Sequence, residues 1–409
     1  MRGPPPSGLS VGTILLSVVI SGTTQPVYGN DGQEPARVLW LIKGLGPGGA
    51  ERLLVLNARF RRREQVSYEV AYLLGWKDAL VGDLAAEGVS STCLGARNSM
   101  DPRWVWRLRK HLGAHPVDVV HAHSPLAAIG ARLVLRTLRR CRRPLLLTTE
   151  HNMWESHTRM TSRANALSAF LDDRRIAVSG AVRASLPRRY QADTEVVRYG
   201  VDVAGLRAQA GDRSAMRREL GLGDEVLVIG TVANLRVTKG YPDLLAAARL
   251  LLDRRPGVRF VSVGQGPLEA ELIALRDELG LVDKFQFLGH REDAPRVLSA
   301  LDVFCMASHH EGLPVAMMEA LVLGLPVVAT SVGGVPELVT DGQEALLVPP
   351  RRPDLLADAL ESLVDHPDRR LEMSANATAM ANGLSVERAV RRTEEIYREM
   401  LDHREMLDQ

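Results

Sequence analysis

Residues 309–337 read HHEGLPVAMMEALVLGLPVVATSVGGVPE, and the fold of the whole chain is decided by how this stretch is understood. Glu311 and Glu319 stand eight residues apart, and Gly312, Leu313 and Pro314 follow the first directly. Proline costs nothing in the first turn of a helix, where its missing N–H would have no intrahelical partner. The spacing therefore predicts Glu311 in the loop before a helix and Glu319 about two turns inside it. The apolar residues Ala316, Ala320 and Leu321 let that helix pack closely on a sheet. The N–H groups of Gly312 and Leu313, with the helix dipole behind them, make a site suited to phosphate. Two carboxylates beside a phosphate site point to a ligand rich in hydroxyls, such as a ribose and a sugar. Val327–Thr330 reads as a buried strand, and Gly333-Gly334 opens a tight turn near the same pocket.

An ordinary surface helix would account for either glutamate alone. The whole string carries more. Its EGLP opening, the Glu-Ala in the helix, the G-x-P-V-V strand and the G-G-x-P-E loop resemble the E-x7-E signature of the retaining family 4 glycosyltransferases. That resemblance implies an α/β protein of the GT-B fold, two facing Rossmann-like domains with a central cleft. It further implies that Glu311 holds hydroxyls of a donor sugar and Glu319 those of a ribose. Pro314 belongs to the same donor loop.

Upstream, Arg37–Lys43 (RVLWLIK) is a compact apolar strand followed by GLGPGGAER. A glycine-rich turn between strand and helix is a common approach to phosphate, and equally a common structural turn. By resemblance to the family's first loop, Gly48 and Gly49 face the donor phosphates or the acceptor. Strand and helix patterns then alternate over Val66–Leu73, Ala79–Glu87, Val89–Leu94, Pro102–Leu112, Val117–His121, Pro125–Leu138 and Leu145–Thr149, which predicts a parallel, doubly wound sheet. Ligands of such sheets sit beyond the C-terminal strand ends. His121, His123 and His151 fall there. The resemblance favours His151 as the residue touching the donor sugar near the reacting carbon, with His121 and His123 shaping the pocket. Arg175–Ser179 is one more strand, and the following SGAVRASL and VVRYGVDV resemble the family's last elements of the first domain, which implies that Gly200 and Asp202 close it. Arg207–Leu220 reads as linker plus a surface helix.

The second domain opens with EVLVIGTVA at Glu225–Ala233, leading into NLRVTKGYPD. Lysine occurs only five times in the chain, so Lys239, just before Gly240 at a helix start, stands out as a point charge for phosphate rather than a plain capping lysine. Many relatives carry an arginine five residues earlier. Asn234 occupies that place, and Arg236 is the candidate for the second positive charge. Val258–Val263 with Gly264 and Gly266 forms a further strand and turn. FQFLG at Phe285–Gly289, then His290 and Arg291, resembles the segment lying against a nucleobase. The last helix, Val386 to about Met400, resembles the one that crosses back to the first domain.

These boundaries give an N-terminal extension (1–36), a first domain on the acceptor side (37–204), a second on the nucleotide-sugar side (205–385) and a returning helix (386–409). A chain of 409 residues suits two α/β domains. The net charge of +2 gives no reason to expect nucleic acid. Cys93, Cys141 and Cys305 form neither a metal spacing nor a paired framework, which favours a reducing compartment. Arg2 followed by an apolar run over Val11–Ile20 has the look of a weak signal segment or a misplaced start. We expect a cytoplasmic body, because sugar nucleotides are cytosolic. No Asp-x-Asp metal motif occurs and Asp172-Asp173 has the wrong spacing, so neither metal nor cofactor is expected. The expected partners are a nucleotide-sugar donor, a carbohydrate or lipid-linked acceptor and, through Arg61–Arg63 and Arg136–Arg143, an anionic membrane surface. Two further readings share parts of the pattern: an epimerase or phosphorylase of the same architecture, and a secreted two-lobed solute-binding protein.

Overall fold

Continuous apolar runs such as RVLWLI and VVAT suit strands covered on both faces, and parallel strands need helical crossovers to join them. The computed structural model, which describes residues 34–46 and 48–408, has this arrangement twice. The first sheet comprises β1 (Ala36–Ile42), β2 (Val66–Leu74), β3 (Ser90–Ala96), β4 (Val119–Ala122), β5 (Leu145–Glu150), β6 (Arg174–Ala177) and β7 (Thr194–Val196). The second comprises β8 (Val228–Val232), β9 (Arg259–Val263), β10 (Phe285–Phe287), β11 (Val303–Met306), β12 (Val327–Thr330) and β13 (Ala345–Val348). Their orders are β3-β2-β1-β4-β5-β6-β7 and β10-β9-β8-β11-β12-β13, and every pairing is parallel. In each sheet the strand order reverses beside its first strand, at β1/β4 and at β8/β11. Crevices beyond the C-terminal strand ends at such points are where ligands bind in doubly wound sheets.

Residues 35–409 form one compact unit. The helix Val386–Asp408 runs past the expected end near Met400 and packs on the first sheet, not the second. Trp40 Nε1 donates to Tyr397 Oη at 3.2 Å, Arg62 pairs with Glu394 at 2.6 Å and Arg392 with Glu195 at 2.6 Å. A second tie joins the halves. Glu337, from the short helix Val335–Leu338 after β12, accepts from the Gly180 and Ala181 amides at 2.9 and 2.7 Å and from Arg198 at 2.9 Å.

Three expectations change. Arg207–Leu220 holds parts of two helices, Val203–Ala210 and Arg213–Glu219, joined by an exposed turn; both keep an exposed face, but Met216 and Arg217 are fully buried. The Arg217 fork reaches Asp302 Oδ2 at 2.7 Å and the carbonyl oxygens of Ala300, Gly223, Asp224 and Val226, so its charge and all its directions are satisfied indoors. Of the Arg61–Arg63 cluster, Arg62 pairs with Glu394 while Arg61 and Arg63 donate to backbone carbonyls of Ala58 and Glu87, so one of the three charges is offset. The helix after Glu311 starts at Val315, with Pro314 extended as its cap, so Glu319 lies little more than one turn inside. The apolar run of the N-terminal extension lies outside the described residues.

Candidate functional site

The loops at the two switch points face each other across a cavity of about 270 Å³. Gly48, Gly49, His151, Lys239, His290, Glu311, Gly312, Leu313, Pro314 and Glu319 all line it. The sequence pattern thus brings together every candidate residue except Arg236. That arginine is exposed, with an extended backbone just before the tight turn Val237–Lys239, and is not among the residues lining the cavity. Its charge is felt instead by Lys43 and Glu51 of the first domain. Asn234 does line the cavity.

Lys239 is delivered by local stitching. Gly240 ends the turn in the left-handed region (φ +62°), and a Cβ there would overlap the Ala307 carbonyl, 2.9 Å from its carbon. The His309 amide donates to Thr238 O at 2.8 Å, and the His309 ring meets Asp243 at 2.7 Å. The turn is therefore held against the loop after β11. Lys239 Nζ lies 2.7 and 2.9 Å from the two oxygens of Glu311, and Ser308 Oγ donates to Oε1 at 2.6 Å. A buried carboxylate stabilised by one ammonium and one hydroxyl is well fixed in direction. The Gly312 and Leu313 N–H groups donate to no group among the described residues, which leaves them open to a ligand.

Gly312 carries a second constraint. A Cβ on it would overlap the His151 carbonyl oxygen, 2.9 Å from the carbonyl carbon and 3.4 Å from Val178 Cγ2. Only glycine lets the second domain's loop touch the end of β5.

On the first-domain side, burial pushes His151 down to about 4, so its ring is neutral. His123 Nδ1 lies 3.3 Å from His151 Nε2, and Tyr199 is stacked on His151 with centroids 5.5 Å apart. Arg52, Asn152, Tyr199 and Arg291 also line the cavity and were not singled out as site residues from sequence. Arg52 lies inside the GGAER string, where attention rested on the glycines. Asp172 and Asp173 are structural: Asp172 is buried between Arg132 and Arg175 (2.6 and 2.9 Å), and Asp173 accepts from the Leu146 amide at 2.7 Å. Among the described residues no three His, Cys, Asp or Glu side chains gather as a metal site.

Burial pushes Glu319 up to about 7, opposed by Arg52. A folded-state value above the ordinary carboxyl range means that the neutral form suits the fold. The contribution is complete below about pH 4.3 and is lost as pH rises through 7. Glu319→Gln should therefore melt with the wild type at pH 4 and a few degrees above it at pH 8, read by calorimetric scans. An equal gap at both pH values would place this carboxyl in a solvated setting.

The sequence profile of the glycosyl transferases group 1 matches residues 212–380, and that of glycosyltransferase family 4 matches residues 47–204. The D-inositol 3-phosphate glycosyltransferase of Actinosynnema mirum is 36% identical over 230 residues, 53% of this chain and 55% of that protein. The chain thus spans about half the length of such relatives. The alpha-D-kanosaminyltransferase of Streptomyces kanamyceticus is 30% identical over 317 residues, 73% of this chain and 81% of that protein. Among solved structures, HepE of Anabaena in complex with UDP aligns with a TM-score of 0.75 at 23% identity, covering 89% of this chain and 100% of that one.

Proposed function

The chain belongs to the family 4, group 1 glycosyltransferases, and from that premise we propose that it moves a sugar from a nucleoside-diphosphate sugar to a hydroxylated acceptor with retention of configuration. The observation that carries this reading is the meeting of Lys239, Glu311, Glu319 and His151 in one cavity at the facing switch points. The relatives reported above are named as glycosyltransferases, not as epimerases, phosphorylases or solute-binding proteins. In this reading the second domain holds the donor: Glu319 takes the ribose, His290 lies by the base, and Glu311 takes sugar hydroxyls. As the anomeric C–O bond breaks, its electron pair goes to the diphosphate. Lys239 and the Gly312 and Leu313 amides take up that charge as a preorganised set of donors. The acceptor oxygen bonds to the same face of the anomeric carbon, and its proton passes to the departing phosphate oxygen. His151 borders the sugar from the first domain as a neutral ring.

HepE, also solved with UDP-glucose, supports a uridine donor here. The acceptor is a carbohydrate, a cyclitol or a lipid-linked glycan. Because protein groups supply the charge, the reaction needs neither metal nor cofactor. UDP should raise the melting temperature of the wild type more than GDP does, and more than it raises that of Glu319→Gln, since a ligand that binds only the folded state stabilises it. Transfer from labelled UDP-sugars should persist in excess EDTA. Indifference to both nucleotides would remove the transferase reading, and EDTA-sensitive transfer restored by magnesium would remove the metal-free one.

A cytoplasmic, membrane-facing placement is part of the proposal. No helix among the described residues is long and apolar enough to cross a membrane. Arg136, Arg139, Arg140 and Arg142 are exposed, and the adjoining helices Arg103–Ala114 and Pro125–Arg136 present Trp106 and Leu133 to solvent. Exposed cations beside an aromatic ring suit an anionic leaflet. The protein should sediment with anionic vesicles at low salt and release as salt shortens the reach of exposed charge. Equal sedimentation with neutral vesicles would take the arginines out of the account.

A further inference from the structure

Behind the cleft runs a line of buried polar side chains that the transfer reading leaves unused. Trp40 Nε1 can only donate, and it donates to Tyr397 Oη at 3.2 Å. Tyr397 Oη stands 2.6 Å from His121 Nδ1, and His121 Nε2 stands 2.6 Å from Thr149 Oγ1. The Thr149 hydroxyl also stands beside the Tyr199 phenol, where it opposes the upward push of burial on that group. Trp40, Tyr397, His121, Thr149 and Tyr199 are all buried, so water does not offer substitutes. At the far end Tyr199 lies nearly parallel to His151, at 14°.

The hydrogens can be followed one at a time. Tyr397 accepts from Trp40 and its phenol also meets that of Tyr68; in the proposed chain its own hydrogen goes to its closest partner, His121 Nδ1 at 2.6 Å. Burial keeps His121 neutral, with its value well below the usual imidazole range, so the ring has one hydrogen to place. With Nδ1 accepting, that hydrogen sits on Nε2 and is donated to Thr149. The Thr149 hydroxyl is then left to donate to Tyr199. From Tyr397 onward each link of this chain has one donor and one acceptor pointing toward the cleft, with Tyr68 a side branch at its head.

We propose that Tyr397 is a positioning residue for the transfer site: an ordered chain from Trp40 through Tyr397, His121 and Thr149 to Tyr199 fixes the Nε2–H tautomer of His121 and the plane of the ring stacked on His151. The C-terminal helix thereby sets the aim of a histidine it never touches. His123 gives the same cluster a second brace, with its ring 4.0 Å from that of His121 and its Nδ1 bonded to His151. This rests on the reading that His151 borders the donor sugar.

The test has two arms on the full chain. Long-range proton–nitrogen NMR with 15N-labelled histidine should show His121 as a single Nε2–H tautomer in the wild type and as a mixture in Tyr397→Phe. Steady-state kinetics should show Tyr397→Phe losing about tenfold in kcat with the donor KM changed less than about twofold, as expected when aim is lost and binding kept. Thr149→Val should break the chain from its other end with the same split, while Thr149→Ser restores it, so a failure of Tyr397→Phe to fold leaves a second route. An Nδ1–H tautomer in the wild type would reverse the chain and overturn the proposal whatever the enzyme turns over. Wild-type kcat in both Tyr397→Phe and Thr149→Val would overturn the positioning role. If no sugar nucleotide is turned over by the wild type, the parent reading fails, and the NMR arm still decides the tautomer.

Discussion

Lys239→Ala should lower kcat about a hundred- to a thousandfold, the usual cost of removing one preorganised donor to developing charge. The ammonium sits within 2.9 Å of both Glu311 oxygens, fixed before any ligand arrives, so no reorganisation is needed when charge develops on the diphosphate. Interactions stronger in the transition state than in the ground state act on kcat, so the Michaelis constant should change much less. The fold should survive, because Ser308 still donates to Glu311 at 2.6 Å and the cavity admits water. Lys239→Arg should recover part of the rate, since a guanidinium supplies the charge with a different geometry. Glu311→Gln should itself be slow, and the double variant should be little slower than the worse single one, because paired residues act as a unit. Steady-state kinetics with the preferred donor decide this. A Lys239→Ala enzyme within fivefold of wild-type kcat would move the diphosphate away from this lysine.

Gly312→Ala is expected to cost at least about a hundredfold in kcat/KM, by misplacing reacting groups across the cleft. The added methyl would overlap the His151 carbonyl oxygen, which belongs to backbone and cannot rotate aside. Either the loop between Glu311 and Pro314 shifts, or the two domains part. Overpacking of this kind also destabilises by about 1–3 kcal/mol. A larger radius of gyration in solution scattering would identify parting, and an unchanged radius with the same rate loss would identify the loop. Wild-type kinetics would mean that domain contact at this point is not needed for transfer.

The strands and the donor loop were legible because their signals are local. Apolar runs bounded by glycine and proline mark strands wherever they sit, and Val327–Thr330 came out with its observed ends. Lys239 stood out because lysine is rare in the chain, and Glu311 because three loop residues follow it in a recognisable order. Arg217 and Arg132 did not, since a buried arginine announces itself only through acceptors brought from elsewhere, such as Asp302 and Asp172. Tyr397 was hidden for the same reason: its partner His121 is 276 residues away. Arg236 stands outside the cavity lining, and charge and spacing alone do not say whether an exposed residue reaches a cavity. The early proline suggested an earlier helix start than the structure has; with Pro314 as cap, Glu319 sits in the second turn.

The helix Val386–Asp408 has a consequence for anyone recombining this enzyme with its relatives. A single crossover near residue 204 would look like a clean exchange of acceptor halves, yet it would strand Tyr397, Glu394 and Arg392 against a foreign β1 and β7. A working chimera needs two crossovers, so that the helix Val386–Asp408 travels with the half it packs on although the other half lies between them in sequence. The exchanged half must also offer two free amides and an arginine where Glu337 expects Gly180, Ala181 and Arg198. Variation in acceptor preference should therefore run through residues 37–204 and the helix Val386–Asp408 together, with the segment between them varying by its own rules.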